Sequence, residues 1–136
     1  MSVIVTDNGF GRDDWNDGFA TVEERAANDT RGLHLASDTD PAALADLMAG
    51  VPAIRIDFPS FADGRGFTLG RQLRLLGYEG RLRAHGHVIS DQYAMARRSG
   101  FDEVEISEEQ SIRQPEADWL SRADWKAYDY RSRMTG

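Results

Sequence analysis

A chain of 136 residues is the length of one domain, below the ~250 residues at which single cores stop growing; 40% hydrophobic and 29% charged residues give material for a core and no signature of general disorder. The complete absence of cysteine excludes disulfide frameworks, zinc ribbons, cysteine-ligated iron–sulfur clusters and thiol nucleophiles. A formal charge of −7 argues against nonspecific binding to nucleic acid, which needs clustered cations.

The N-terminus, MSVIVTDNGF, has no basic stretch ahead of an apolar signal core, and no apolar run approaches the ~20 residues of a membrane span, so the expected address is the cytoplasm. Val3 to Thr6 reads as a short strand, followed by a turn at Asn8-Gly9 and an acidic connection punctuated by Trp15 and Phe19. From Arg31 onward compact apolar runs alternate with helix start and stop signals, the pattern of repeated βα units around a parallel sheet. Leu33 to Ala36 is the first strand of that series. Asp40-Pro41 then supplies an N-cap and first helical residue, Leu44, Leu47 and Met48 one apolar face, and Gly50 the stop. In the next strand, Ala53 to Phe58, alternation places Ile54, Ile56 and Phe58 on one face and Arg55 and Asp57 on the other. The loop PSFADGRGF leads to a helix carrying Leu69, Leu73 and Leu76 and ending at Gly77. Arg81 to His85 is a strand, Ser90 caps a helix through Arg98 that stops at Gly100, and Glu103 to Ile106 is the last strand.

The expected fold is therefore a single α/β domain, residues 1–136. Residues 1–30 form an N-terminal strand and connection, residues 31–106 a core of βα repeats, and residues 107–136 a helical, aromatic-rich tail. The core fits an open parallel sheet or a half-barrel-like arrangement, since right-handed crossovers are common to both. The tail holds Trp119, Trp125, Tyr128 and Tyr130, with a helix expected from Pro115 to about Ala127. It either folds back over the sheet, the favoured expectation, or packs against a second copy as a homodimer.

Ligands bind at the carboxyl ends of strands in such sheets, which defines the candidate residues. Asp57 and His85 are the candidate proton-transfer groups. Ser60, Asp63, Gly64, Arg65 and Gly66, with His87 and Gln92, are the candidate anion-binding set, because DGRG places flexible backbone and a fork-shaped cation just before a helix N-terminus. The alternative is a turn in which Asp63 and Arg65 merely pair. His85 and His87, two apart, share a face if the backbone stays extended, and Asp57 could add a carboxylate from the neighbouring strand, but a metal site needs further ligands and Gly86 can bend the chain out of register, so no metal is assigned. His34, inside a strand, reads as structural, and the run Asp102, Glu103, Glu105, Glu108, Glu109 as a solvated edge. Residues 51–100 carry eight arginines against four carboxylates within an otherwise acidic chain. No Walker loop, GxGxxG or GxSxG motif is present, and no cofactor follows from the sequence.

The stretches FPSFADGRGF, GYEGRLRAHG, the Asp91-Gln92 pair and RSGFD resemble the core of the bacterial domain of unknown function family 934, over roughly residues 31–106. Members of that family are labelled as oxidoreductases of sulfite reduction. The resemblance implies a cytoplasmic accessory protein of assimilatory sulfite reduction, binding a small sulfur oxyanion or docking to sulfite reductase or another sulfur-assimilation enzyme. Two other functions stay open: a small enzyme acting on a sulfur-pathway metabolite, and a dimerising structural module that uses the aromatic tail.

Overall fold

Alternation within the strands decides the two faces of the sheet. This computed structural model describes residues 2–26 and 28–128. Its strands are β1 (Ser2–Thr6), β2 (Gly9–Gly11), β3 (Phe19–Ala20), β4 (Gly32–Leu35), β5 (Ala53–Phe58), β6 (Arg81–Gly86) and β7 (Glu103–Ser107). They form one seven-stranded sheet in the order β2-β1-β7-β6-β5-β4-β3. Strands β3 to β7 run parallel, β1 pairs antiparallel to β7, and β2 antiparallel to β1. The register aligns Leu35, Ile56, Ala84, Val104 and Val5 across one face, and His34, Arg55, Arg83 and Glu103 across the other.

The parallel strands follow one another across the sheet in chain order. Each right-handed crossover therefore steps the same way and lays its helix on the same side. Those helices are α1 (Leu44–Leu47), α2 (Arg65–Leu75) and α3 (Tyr93–Arg98), and they bury the apolar face in one cluster with Leu44, Leu69, Leu73 and Tyr93. Phe58 is its centre, 4.8 Å from the ring of Phe67 and 5.9 Å from that of Phe101. The winding is that of a βα-barrel segment, and no switch of strand order among the parallel strands creates the crevice that open doubly wound sheets use.

Local signals behave as their chemistry dictates, with three differences. Asp40 caps through Ala42 N–H, but Pro41–Ala43 form a 3₁₀ turn that only then passes into α1. Ser90 is not the cap of α3: it is buried in a 3₁₀ turn, and the backbone N–H of Ile89 donates instead to the Gln92 side chain at 3.0 Å. The tail is not one helix from Pro115. It consists of α4 (Glu108–Arg113), capped by Ser107, then α5 (Glu116–Leu120) and a 3₁₀ turn at Trp125–Tyr128. Tyr130 lies outside the described residues.

Two tail tryptophans fold back onto the chain. Trp119 is buried edge-on against Tyr93, ring centroids 6.1 Å apart, and its indole N–H donates to the Gln114 carbonyl at 3.0 Å. Trp125 donates to Asp7 at 3.2 Å beneath the Arg97 guanidinium. Burial pushes the Asp7 carboxyl up, but the donors Tyr93, Trp125 and Arg97 outweigh it and hold Asp7 below its ordinary value.

Candidate functional site

The face opposite the helices is built of charged and polar side chains. Arg83 is fully buried at its centre. Its Nε donates to Glu103 at 2.5 Å, its Nη1 to Glu105 at 2.8 Å, and its two Nη atoms to the two oxygens of Asp13 at 2.9 and 2.7 Å. Arg81 spends its fork on Glu103 and Asp14. These contacts lay the connection between β2 and β3 across the N-terminal part of the face. Phe19 lies on the same side, with Arg55 stacked on its ring at 4.5 Å and Arg83 at 5.2 Å. Gly32 makes room beneath it, since a Cβ there would come within 2.6 Å of the ring.

The C-terminal part of the face is left uncovered by the described residues. There Asp57, His85 and Glu105 stand side by side on three adjacent parallel strands. His85 Nδ1 is 3.2 Å from Asp57 Oδ1, and its Nε2 is 3.7 Å from Glu105 Oε2. Asp57 and His85 each keep 34% of their side-chain surface exposed, whereas Glu105 keeps 8%. Burial pushes Glu105 up, but hydrogen bonds from Arg83 and Ser2, with the charges of His85 and Arg55, hold it below the usual carboxylate range. His34 sits edge-on to His85 at 5.8 Å and accepts the Nε–H of Arg55 on Nδ1 at 2.9 Å. Burial, then the neighbouring Arg55 and His85, lower its pKa; it is a neutral imidazole with its proton on Nε2.

An Asp–His pair on the ends of parallel strands can do acid–base chemistry. The carboxylate orients the ring through Nδ1–H and leaves Nε2 to exchange a proton with whatever enters. Gly86 makes the geometry possible. Its φ is +107°, and a Cβ would lie 2.9 Å from the Phe58 carbonyl and 3.4 Å from Asp57 Oδ1. The same twist throws His87 off the face, where it is exposed and packs edge-on against Phe61 at 5.1 Å, so the two histidines do not share a side. Among the described residues no three His, Asp or Glu side chains gather as a metal site. Gly86→Ala is expected to cost about 1–3 kcal/mol, the strain of a side chain in a glycine-only conformation, read as a lower urea midpoint.

The other candidate residues have structural work. Arg65 closes its fork on Asp63 at 3.0 and 2.7 Å and reaches Ser37 at 3.1 Å. That fork and the Arg65 backbone N–H pull the Asp63 carboxyl far below its ordinary range. Arg65 borders a cleft of about 320 Å³ in which Asp38 and Asp40 also stand, so an oxyanion there meets two carboxylates and an arginine whose fork is already closed on Asp63. Gly64 is the N-cap of α2, Gly66 packs under the Phe58 ring, and Ser60 accepts the Ala62 N–H. Gln92 bridges Ile89 N–H to the Phe61 carbonyl.

Arg55, Arg83, Glu105 and His34 are the residues that sequence reasoning passed over. Glu103 and Glu105 are no solvated edge: both are buried against arginines. The eight arginines of residues 51–100 form no single cationic patch. Arg74 serves the Tyr78, Gly80 and Gly100 carbonyls, and Arg97 serves Asp7.

A family model, that of the bacterial proteins of unknown function DUF934, matches residues 32–133. The chain belongs to this family. The DUF934 match takes in the tail, beyond the residues 31–106 that the sequence resemblance covered, so α4, α5 and the 3₁₀ turn belong to the family unit. No curated protein and no solved structure matches the chain. Among the described residues no helix of this DUF934 member is long and apolar enough to cross a membrane.

Proposed function

We propose that this protein is an accessory protein of assimilatory sulfite reduction, docking to an enzyme of that process and handling protons at His85. Sulfite reduction as the process rests on the family resemblance. The observation that carries the choice of centre is the 3.2 Å contact between Asp57 and His85 on the uncovered end of the polar face. Reducing sulfite to sulfide takes up protons along with electrons, so an oriented imidazole is a useful group beside a reductase. Of the two oxyanion and docking modes, docking is favoured, because Arg65 is already occupied by Asp63.

A second reading draws on the same contact: a small enzyme acting on a sulfur-pathway metabolite, with His85 as general base and Asp57 as its orienting carboxylate. One experiment tests both. A deletion strain is complemented with His85→Ala, Asp57→Asn or Arg65→Ala and grown with sulfite as sole sulfur source. General acid–base groups contribute ~10²–10⁴-fold, so the two site variants are expected to slow sulfite-dependent growth at least about tenfold while Arg65→Ala supports it. Normal growth with His85→Ala would remove both readings. Loss with Arg65→Ala alone would move the centre to the α2 cleft. Turnover by the purified protein without a partner separates enzyme from accessory.

A further inference from the structure

Six of the eight arginines in residues 51–100 hold a carboxylate: Arg55, Arg65, Arg74, Arg81, Arg83 and Arg97. Arg71 and Arg98 hold none among the described residues. Both are exposed on the helix layer, Arg71 on α2 and Arg98 at the end of α3, where its guanidinium reaches the Trp125 carbonyl at 3.4 Å. Neither helix contains an aspartate or a glutamate, so in a chain of charge −7 the outer surface of α2 and α3 is cationic. Between these helices runs a groove of about 530 Å³, lined by Phe67, Thr68, Arg71, Gln72, Met95 and Ser99, with no carboxylate on its walls. Tyr93 and Ala96 bury the inner side of α3, whereas Met95 turns outward with 52% of its surface exposed, one helical turn from Arg98. The outer side of α2 repeats the arrangement, with Leu75, 74% exposed, one turn on from Arg71. Each helix therefore presents to solvent an apolar side chain next to a guanidinium that lacks a counter-charge.

We propose that the groove between α2 and α3 is the docking surface for an acidic, amphipathic segment of a partner protein, which seats an apolar side chain against Met95 and Phe67 and sets carboxylates on Arg71 and Arg98. The groove gives the docking reading above a face and a chemistry and rests on that reading, while using no group around His85. Charge decides the occupant. A neutral or basic segment gains only the apolar contact and leaves both forks unmatched, whereas carboxylates complete them with charge-assisted hydrogen bonds. Residues 129–136 of the chain itself, DYRSRMTG, contain no acidic run of that kind. Met95 suits the apolar half of the contact, because an unbranched thioether adapts to differently shaped surfaces.

The test is ¹H–¹³C NMR of the Met95 methyl and the His85 ring in the full chain, titrated with a short peptide of leucines and glutamates at helical spacing and with its glutamine and lysine counterparts. The glutamate peptide is expected to shift the Met95 methyl signal saturably, to leave the His85 ring, on the opposite side of the sheet, in place, and to bind several-fold tighter at low than at high salt. Arg71→Glu is expected to weaken that binding at least about tenfold and to transfer the preference to the lysine peptide. Arg113→Glu, on α4, makes the same change in net charge and is expected to leave binding intact; amide spectra confirm that both variants fold. The proposal is overturned by no saturable Met95 shift, by equal binding of the glutamine or lysine peptide, or by unchanged affinity in Arg71→Glu. It is also overturned if the Met95 signal moves with protein concentration alone, which makes a second copy the occupant. The growth assay separates the two failures. Loss of growth with His85→Ala but no peptide binding removes this proposal alone, and peptide binding with normal growth of His85→Ala removes the role of His85 alone.

Discussion

Arg83→Met is expected to lower the unfolding free energy by about 3–5 kcal/mol, a large share of the ~5–15 kcal/mol that holds a domain together. Methionine fills much of the same space but donates nothing; it would leave Glu105, with 8% of its side-chain surface exposed, as a buried charge with only Ser2 and the 3.4 Å contact of Arg55, and Glu103, with 6%, on Arg81 alone. The penalty is that of an uncompensated charge and not the net worth of the ion pairs, which is why removing all three charges gives the contrasting result. The triple variant Arg83→Met/Glu103→Leu/Glu105→Leu is expected to recover most of the loss, since apolar replacements of a buried ionic cluster are often neutral or stabilising. Urea unfolding followed by circular dichroism measures both. If the single variant costs less than the triple, the cluster is held by packing and the charges are incidental. The function is expected to respond in the opposite order. The triple variant removes Glu105 from beneath His85 and frees Asp13, so it is expected to fold and fail in sulfite-dependent growth.

The βα core was legible because its punctuation is chemical. Asp40-Pro41 opens a helix, glycines with φ near +70° to +104° at Gly50, Gly77 and Gly100 close three, and apolar alternation marks each strand. Strands β2 and β3, of three and two residues, are too short to show a period and exist because β1 and β4 offer open edges. Half of the site was legible too. Asp57 and His85 were placed at strand ends by position alone, and the parallel register brings them together. Their supports were missed for two reasons. Glu103 and Glu105 sit in a run that looks acidic, yet each alternates with an apolar neighbour, and the pairing of β6 with β7 sets them opposite Arg83 and His85. Arg65 misled in the other direction, because Asp63, two residues earlier, closes on its fork before any ligand can.

Trp119→Ala is expected to cost about 3–5 kcal/mol, the range for emptying a buried aromatic site. Trp119 is the largest side chain that is almost wholly buried, and truncation also strands the Gln114 carbonyl that its indole N–H serves. Trp119→Phe keeps an aromatic ring against Tyr93 and loses that hydrogen bond, so it is expected to cost less, with about 1–3 kcal/mol from the orphaned carbonyl. The comparison also tests whether the tail works within its own chain. If Trp119 is held intramolecularly, the wild-type urea midpoint is independent of protein concentration; if a second copy supplies its pocket, the midpoint rises with concentration. The loss is expected to reach His85. Gln114 accepts the Ser90 N–H at 3.0 Å and Gln110 donates to the Val88 carbonyl, so the segment behind Trp119 fastens the turn that leaves β6 directly after His85 and His87. Loosening α5 frees that turn, and the Asp57–His85 contact depends on Gly86 holding its left-handed conformation there. In Trp119→Ala the His85 ring signal is therefore expected to broaden or move even under conditions where the sheet stays folded, whereas in Trp119→Phe it is expected to stay in place.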